Sequence, residues 1–181
     1  MSTLQTPARP SLDQLWAWLA EVPDPEIPVV SVVDLGIVRD VAWSGKEPGL
    51  CRVTVTPTYT GCPATAVISE QILEHLHARG VERVELDVRL APAWTTDWLT
   101  AKARERLQNY GIAPPIGRAS TANQGQENLI VLGQPSFPQI VCCPRCGSGH
   151  TDLISQFGST PCKSLYRCTD CLEPFDHFKC H

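Results

Sequence analysis

Two pairs of cysteines near the end of the chain have the spacing of metal ligands. Cys143 and Cys146 form one Cys-x-x-Cys pair, and Cys168 and Cys171 form another. Two thiolates three positions apart in a tight turn can bind one metal ion, and a second such turn completes a tetrahedron of sulfur. Gly147 favours this interpretation, because a turn that aims N–H groups at sulfur needs a residue tolerant of positive φ. The sequence therefore predicts a structural site for Zn²⁺, with iron as the alternative ion.

Other cysteines near these pairs are second-rank candidates for the ligand set. Cys142 would give a Cys-x-x-x-Cys register, but Cys-Pro-x-Cys-Gly suits a metal-binding turn better, so Cys143 is preferred. Cys162 and Cys180 could form a second thiolate site, with His177 or His181 close by in sequence. Packing as small apolar residues is the simpler role for Cys162 and Cys180.

A further candidate is the thiol of Cys62, which precedes Pro63 in the segment TYTGCPAT. Pro63 suits the first position of a helix, so Cys62 is predicted to lie in the positive field of unpaired N–H groups. That field favours the thiolate, and with it nucleophilicity or metal affinity. The alternative is a buried cysteine that acts as a small apolar residue. The carboxylates of Asp24, Glu26 and Asp34 lie in turn-like segments, and turn or cap roles explain them first.

Composition limits the class of protein and its partners. The 181 residues carry a net charge of -4 and are 43% hydrophobic, enough for one ordinary domain and a small one. From residue 138 onward four basic residues balance four acidic ones, which argues against a nucleic-acid partner. The first eleven residues lack the apolar core of a signal peptide, and no apolar run is long enough to span a membrane. We expect a cytoplasmic protein whose nine cysteines serve metal and thiol chemistry.

The elements that must position these residues follow from periodicity and caps. Ser11 and Gln14 form a capping box for a first helix that runs to about Val22. Alternating apolar residues predict a hairpin of two strands, with one strand over 37–43 and the other over 51–55. A second helix fits 63–79, a strand fits 81–90, and a third helix is predicted from a cap at Thr95 or Thr96 to Gly111.

These elements predict an α+β domain over 1–111. It should contain a small three-stranded sheet with flanking helices in the order α-β-β-α-β-α. Residues 112–137 are rich in Pro, Gly, Gln, Ser and Asn and are predicted to form a linker, with a short strand at 129–132. Residues 138–181 are predicted to form a small all-β zinc ribbon that needs its metal to fold.

Two longer patterns resemble known families. DPEIPVVSVVDLGIVRDV followed by TPTYTGCPAT resembles the domain shared by SufT-like proteins and by the eukaryotic cytosolic adaptor that delivers iron-sulfur clusters. The tail FGSTPCKSLYRCTDCLEPFDHFKCH and the segment WTTDW at 94–98 narrow the resemblance. With them, the whole chain resembles the D-subunit family of bacterial phenylacetyl-CoA epoxidases, also called the PaaD or PaaJ family.

The resemblance implies a maturation role, with Cys62 as the thiol that ligates or hands over an iron-sulfur cluster. The implied client is the iron-sulfur reductase subunit of the epoxidase, and the other epoxidase subunits are further partners. In this picture the ribbon is a docking module and the chain is not an enzyme. Nearby carboxylates would bind iron weakly or tune the thiol, although their charge would also disfavour the thiolate. The family's motif positions map onto Asp24, Glu26, Asp34, Gly36, Thr58 and Cys62.

Two other functions remain as alternatives. A structural adaptor would hold epoxidase subunits together without transferring a cluster. An enzyme with Cys62 as nucleophile ranks last, because such a thiol needs a general base and no histidine lies near it in sequence. The chain also lacks the glycine fingerprint of dinucleotide-binding folds.

Overall fold

A computed structural model describes residues 9–116 and 140–179. It divides the chain into two compact units, with Trp94 as the last residue of the first unit and Thr95 as the first residue of the second. The predicted strand at 129–132, most of the predicted linker and Cys180 lie outside the described residues. No helix within the described ranges is long and apolar enough to cross a membrane.

The first unit contains two helices and three strands in the predicted order. They are α1 (Leu12–Leu19), β1 (Val38–Trp43), β2 (Leu50–Val55), α2 (Ala64–His77) and β3 (Arg83–Val88).

Helix α1 begins at the capping box that the sequence predicts. The Ser11 N–H donates to Gln14 Oε1 over 2.9 Å, and the Gln14 N–H donates to Ser11 Oγ over 3.2 Å. The helix ends at Leu19, earlier than predicted, because the N–H groups of Glu21 and Val22 bond three residues back. The N–H of Val22, for example, donates to the Leu19 carbonyl. This tighter turn directs the chain into the loop that carries Asp24.

The three strands form one sheet in the order β1-β2-β3. β1 and β2 are antiparallel, with Val41 opposite Val53, which confirms the predicted hairpin. β3 lies parallel to β2 because α2 carries the chain back across the sheet. Both helices contact the sheet and each other, so they cover one of its faces. The other face carries charged pairs such as Arg52 and Glu85, whose side chains lie 2.9 Å apart.

In the described residues of the second unit, a 3-10 turn at Thr96–Trp98 is followed by one helix and four strands. Its helix starts after Thr100, later than the predicted cap, because the Thr100 hydroxyl accepts a hydrogen bond from the Ala103 N–H at 3.0 Å. The elements are α3 (Ala101–Tyr110), β4 (Ile112–Ala113), β5 (Thr151–Ser155), β6 (Lys163–Cys168) and β7 (Pro174–Phe178). The strands form one sheet in the order β4-β7-β6-β5.

The two-residue strand β4 joins α3 to the ribbon. It follows α3 after a single glycine and pairs in parallel with β7, with Ile112 opposite Asp176. The side-chain amide of Gln108 on α3 also donates to the Pro144 carbonyl at 3.2 Å. The division between the units therefore falls before α3, whereas the sequence predicts a boundary at Gly111.

Candidate functional site

The four predicted metal ligands lie together in the second unit. The sulfur atoms of Cys143, Cys146, Cys168 and Cys171 all lie within 4.8 Å of one another. Cys143 Sγ is 3.7 Å from Cys171 Sγ, and Cys146 Sγ is 3.5 Å from Cys168 Sγ. A tetrahedral zinc ion with Zn–S bonds of about 2.3 Å needs sulfur atoms roughly 3.8 Å apart. The donor set and its spacing therefore fit one tetrahedral metal ion, and these residues form a four-cysteine metal-binding site.

Each pair of cysteines lies in a turn, here called a knuckle, that backbone hydrogen bonds close. In the first knuckle the Gly147 N–H donates to the Cys143 carbonyl at 2.9 Å, and Gly147 has φ +76°. The second knuckle follows β6, and the Cys168 N–H donates to the Glu173 carbonyl at 3.0 Å. Leu172 there has φ +64°. Both knuckles therefore place a left-handed residue directly after their second cysteine.

The thiols of this group compete for protons. The backbone N–H of Cys171 donates to Cys168 Sγ at 3.5 Å and lowers the pKa of Cys168 to about 7. The Ser148 N–H lowers the pKa of Cys146, but hydrogen bonding to Cys168 and burial outweigh it and raise that pKa to about 12. Cys168 thus loses its proton readily, whereas its neighbour Cys146 keeps one. A divalent cation removes that conflict, so the chemistry of the donors also fits a metal ion.

A polar link joins the two knuckles, and no sequence motif predicts it. The Ser148 hydroxyl donates to Asp170 Oδ2, and His150 Nδ1 lies 3.1 Å from the same oxygen. The Ser148 and His150 contacts hold the pKa of the Asp170 carboxyl below its usual value. Asp170 stands between the cysteines of the second pair, and Ser148 follows the first pair. Small polar residues at such positions are the only sequence signal for this link.

The metal-binding site belongs to the core of its unit. Cys143 and Cys168 have no exposed surface, and they pack with Val141, Phe175 and Ala113. Four protein sulfurs leave a tetrahedral ion no open position for a substrate. The site is therefore built to stabilise the fold rather than to catalyse a reaction.

Two of the second-rank cysteines, Cys142 and Cys162, lie outside the four-sulfur group. Cys142 is exposed, and Cys162 is buried with its sulfur 3.0 Å from Thr160 Oγ1. Cys180 falls outside the described residues.

In the first unit, Cys51 is fully buried on β2, and burial raises the pKa of its thiol to about 11. Cys51 is a core residue, as its alternation with valines predicts.

Cys62 lies in a tight turn before α2 and is half-buried. Gly61 has φ +85°, the Cys62 N–H donates to the Tyr59 carbonyl at 3.3 Å, and the Cys62 carbonyl accepts from the Thr65 N–H at 3.1 Å. Pro63 is the N-cap of α2, and no side chain there accepts a hydrogen bond from the first turn. Cys62 is therefore close to a helix terminus whose N–H groups lack a side-chain cap.

The acidic motif residues shape the neighbouring loops. Asp24 is 7% exposed, and its Oδ1 accepts hydrogen bonds from the N–H groups of Glu26 at 2.9 Å and Ile27 at 2.8 Å. Glu26 is exposed, and the Asp34 N–H donates to Ser31 Oγ at 3.0 Å. The two hydrogen bonds that Asp24 accepts are those of a turn residue.

Two contacts connect the loop of Asp34 and Gly36 with the rest of the first unit. The indole Nε1 of Trp94, a buried side chain, donates to the Leu35 carbonyl at 3.0 Å. The Thr56 N–H donates to the Ile37 carbonyl at 2.8 Å, and Thr56 begins the segment that leads through buried Thr58 to Cys62. The motif loops are thus neighbours, although the sequence separates them.

The structure does not gather the predicted first-unit residues into a ready metal site. Among the described residues, the four ribbon cysteines are the only group of three or more His, Cys, Asp and Glu ligand atoms within 4.8 Å of one another. Cys62, Asp24, Glu26 and Asp34 therefore do not form a three-ligand cluster. Any metal held by Cys62 needs ligands from elsewhere.

The fold and the four-sulfur site define a class of protein, an α+β domain of the iron-sulfur assembly type followed by a zinc ribbon. Residues 12–93 match the family model described as "Iron-sulfur cluster assembly protein", and residues 134–179 match the "PaaD zinc beta ribbon domain". The chain is 48% identical over 180 residues, 99% of each chain, to the "Putative 1,2-phenylacetyl-CoA epoxidase" D subunit of Escherichia coli (strain K12). The chain therefore belongs to the family of phenylacetyl-CoA epoxidase D subunits.

Two further relatives each match about half of the chain. The chain is 34% identical over 90 residues to "Fe-S protein maturation auxiliary factor YitW" of Bacillus subtilis (strain 168). The aligned region covers 49% of this chain and 85% of that protein. The chain is also 31% identical over 85 residues to "Fe-S protein maturation auxiliary factor SufT" of Staphylococcus aureus (strain USA300). This aligned region covers 46% of this chain and 93% of that protein.

Proposed function

We propose that this protein is a non-catalytic accessory factor that assembles or delivers an iron-sulfur cluster to the reductase component of a phenylacetyl-CoA epoxidase. Its membership of the D-subunit family supports the link to the epoxidase. The match of residues 12–93 to an iron-sulfur assembly model, and two relatives named as maturation factors, support the cluster-related role. The cluster is cargo in this scheme, and the reductase is its recipient.

The position of Cys62 is the observation that carries the proposal. Its side chain is half-buried, so a partner can reach it, and the uncapped start of α2 lies directly beyond Pro63. The N–H groups of that first turn, which no side chain caps, favour negative charge on a bound cluster. Transfer needs only an exchange of ligands, in which a cysteine thiolate of the client replaces the Cys62 thiolate on iron, with no net redox change.

The absence of a preformed site around Cys62 fits a transient role. A resident cluster requires several protein ligands, usually four thiolates. Cys62 has no three-ligand cluster with the described histidines, cysteines and carboxylates, so it would hold a cluster loosely. In this scheme the other motif residues shape the loops around Cys62 and do not bind iron. They are Asp24, Glu26, Asp34 and Thr58.

The ribbon supplies a stable surface rather than a reactive centre. We assign Zn²⁺ to its four cysteines, since a closed tetrahedral sulfur shell is typical of structural zinc. In this scheme the ribbon docks on epoxidase subunits in the cytoplasm and brings Cys62 to the client. Neither nucleic acid nor a membrane is needed for that role.

The test is the cluster content of the reductase subunit made together with this protein. Cys62→Ser should lower the iron and acid-labile sulfide bound per reductase several-fold relative to wild type. Cys142→Ser is the matched control, because it removes an exposed thiol that lies outside the four-sulfur group. Full cluster content with Cys62→Ser would reject the proposal. If Cys62→Ser gave full cluster content and the protein also stayed in a stoichiometric complex with the oxygenase subunits, the structural-adaptor function would replace cluster delivery.

A further inference from the structure

Ser148 and Asp170 each contact both halves of the metal-binding site. The Ser148 hydroxyl donates to Asp170 Oδ2, which joins the end of the first knuckle to the middle of the second. The backbone N–H of Ser148 also favours the thiolate of Cys146 in its own knuckle. Together with the Cys171 N–H, the Asp170 N–H favours the thiolate of Cys168. The two residues that bond each other across the knuckles therefore also direct N–H groups at sulfur ligands.

Further hydrogen bonds hold both residues of this link in place. Ser148 Oγ accepts a hydrogen bond from the His150 N–H at 3.0 Å, and the Ser148 carbonyl accepts one from the Cys143 N–H at 2.8 Å. His150 Nδ1 lies 3.1 Å from Asp170 Oδ2, and the His150 carbonyl accepts from the Thr169 N–H at 2.9 Å. The Asp170 side chain is 53% exposed, so hydrogen bonds rather than packing fix its position.

Charge alone gives no reason for a carboxylate between two metal ligands. A divalent ion with four thiolates already has a net charge of about -2, and a nearby carboxylate repels such a group. N–H groups that point at sulfur offset part of that charge, and outer hydrogen-bond partners orient the ligands of a metal. Asp170 therefore contributes through the hydrogen bond that its carboxylate accepts from Ser148.

We propose that the Ser148–Asp170 hydrogen bond is a positioning link that keeps two N–H groups on the sulfur ligands and slows release of the metal. A metal ion leaves a closed four-sulfur shell only after a sulfur atom has moved away from it. The link opposes this movement because it ties one knuckle to the other. It also keeps the N–H groups of Ser148 and Asp170 where they reduce the negative charge on sulfur, so the thiolates are less readily protonated.

The experiment measures how fast the full-length, zinc-loaded protein releases Zn²⁺ to an excess of a coloured chelator at neutral pH. Ser148→Ala removes the donor of the link, Asp170→Ala removes the acceptor, and a double variant removes both. Asp170→Asn keeps an oxygen acceptor without the charge. Asp152→Ala is the control, because Asp152 is an exposed carboxylate on β5 that belongs to neither knuckle. The amide proton shifts of positions 148 and 170 in the loaded protein report the N–H contacts with sulfur.

Ser148→Ala and Asp170→Ala should each release Zn²⁺ about tenfold faster than wild type. The double variant should release it no faster than either single variant, because both changes break the same link. Asp170→Asn should stay close to the wild-type rate, and Asp152→Ala should match it. In the two alanine variants the amide protons of positions 148 and 170 should shift upfield, since they move away from sulfur.

Four results would overturn the proposal. Wild-type release from both single alanine variants would show that the link does not retain the metal. Effects that multiply in the double variant would show that the two residues act separately. Faster release with unmoved amide signals would remove the positioning role, and Asp170→Asn as fast as Asp170→Ala would remove the acceptor role.

The test also remains decisive if one variant fails, and it does not depend on the proposed function. If Asp170→Ala takes up no Zn²⁺, the comparison of Ser148→Ala with Asp170→Asn decides in the same way. No epoxidase subunit is present, so each outcome is independent of cluster delivery by Cys62.

Discussion

Asp24 is a motif carboxylate whose contacts serve the fold before any metal chemistry. It is almost fully buried, and one of its oxygens closes the loop by accepting two backbone N–H groups. Hydrogen bonds from two N–H groups satisfy donors that would otherwise be buried without partners. A residue that looks like a candidate iron ligand in the family pattern thus has a sufficient structural reason to be aspartate.

Replacing Asp24 should affect stability through the two hydrogen bonds that its carboxylate accepts. Asp24→Ala removes the acceptor and should lower the free energy of unfolding of the first unit by about 2 kcal/mol. Asp24→Asn retains an oxygen at the same place and should recover most of that loss. Urea unfolding followed by circular dichroism measures both, with Glu26→Ala as an exposed control.

A role in iron binding predicts another pattern for these variants. Asp24→Asn would then lower cluster loading of the reductase as much as Asp24→Ala does, although the stability of Asp24→Asn is close to that of wild type. Equal stability losses for Asn and Ala would contradict the acceptor role. Measuring both stability and cluster loading of the two variants therefore distinguishes an acceptor role of Asp24 from a role in iron binding.

On strand β7, His177 is buried without a full set of partners. Its side chain is 7% exposed, Nδ1 lies 3.3 Å from Ser164 Oγ, and Nε2 has no hydrogen-bond partner in the described structure. Its ring meets the Tyr166 ring edge to face, with centroids 5.6 Å apart. Burial lowers the pKa of His177 from 6.5 to about 4, so the folded strand holds the neutral imidazole.

This shift makes the stability of the second unit sensitive to acid. A group whose pKa falls on folding contributes stability that is complete above its unfolded pKa of 6.5 and is lost as the pH falls toward about 4. The full contribution is about 3 kcal/mol. Guanidinium unfolding at pH 7 and pH 4.5 should show a smaller loss for His177→Gln than for wild type.

Acid also protonates the cysteine ligands, but it does so in every variant compared. His77→Gln is the control for replacing a histidine, since His77 lies on α2 in the first unit. It should lose as much stability between the two pH values as wild type does. An equal loss for His177→Gln would show that His177 is not the group responsible.

Elements with strong local signals were predictable from the sequence, and elements defined by distant partners were not. The Ser11 and Gln14 cap, the β1–β2 hairpin and the body of α2 each depend on residues close in sequence, and their predictions are confirmed. The start of α3 was wrong because several threonines compete for the cap and Thr100 takes it. Strand β4 has two residues and pairs far along the chain, so no periodicity reveals it.

The same distinction applies to the candidate sites. The four ribbon cysteines could be chosen from spacing alone, because a Cys-x-x-Cys turn carries its geometry locally. The Ser148–Asp170 link and the Trp94 contact with the Leu35 carbonyl join separate segments and appear only in the fold. The assignment of a role to Cys62 rests on the family and stays a proposal.

At the scale of the whole molecule, the division into two units makes a prediction about metal removal. β4 pairs with β7, and α3 is joined to β4, so α3 should depend on the metal that holds the ribbon together. A small domain with a limited core loses its fold when its structural metal is removed. The first unit has its own sheet and helices and should retain them.

Hydrogen–deuterium exchange on the full-length protein tests this dependence. After removal of the metal by a strong chelator under reducing conditions, amides of β6, β7 and α3 should exchange much faster than in the loaded protein. Amides of β2 and α2 should keep their protection. Cys143→Ser should reproduce the chelated pattern, whereas Cys142→Ser should match the wild type, since only Cys143 belongs to the four-sulfur group. Continued protection of α3 alongside α2 would instead place the boundary at Gly111 and assign α3 to the iron-sulfur assembly domain.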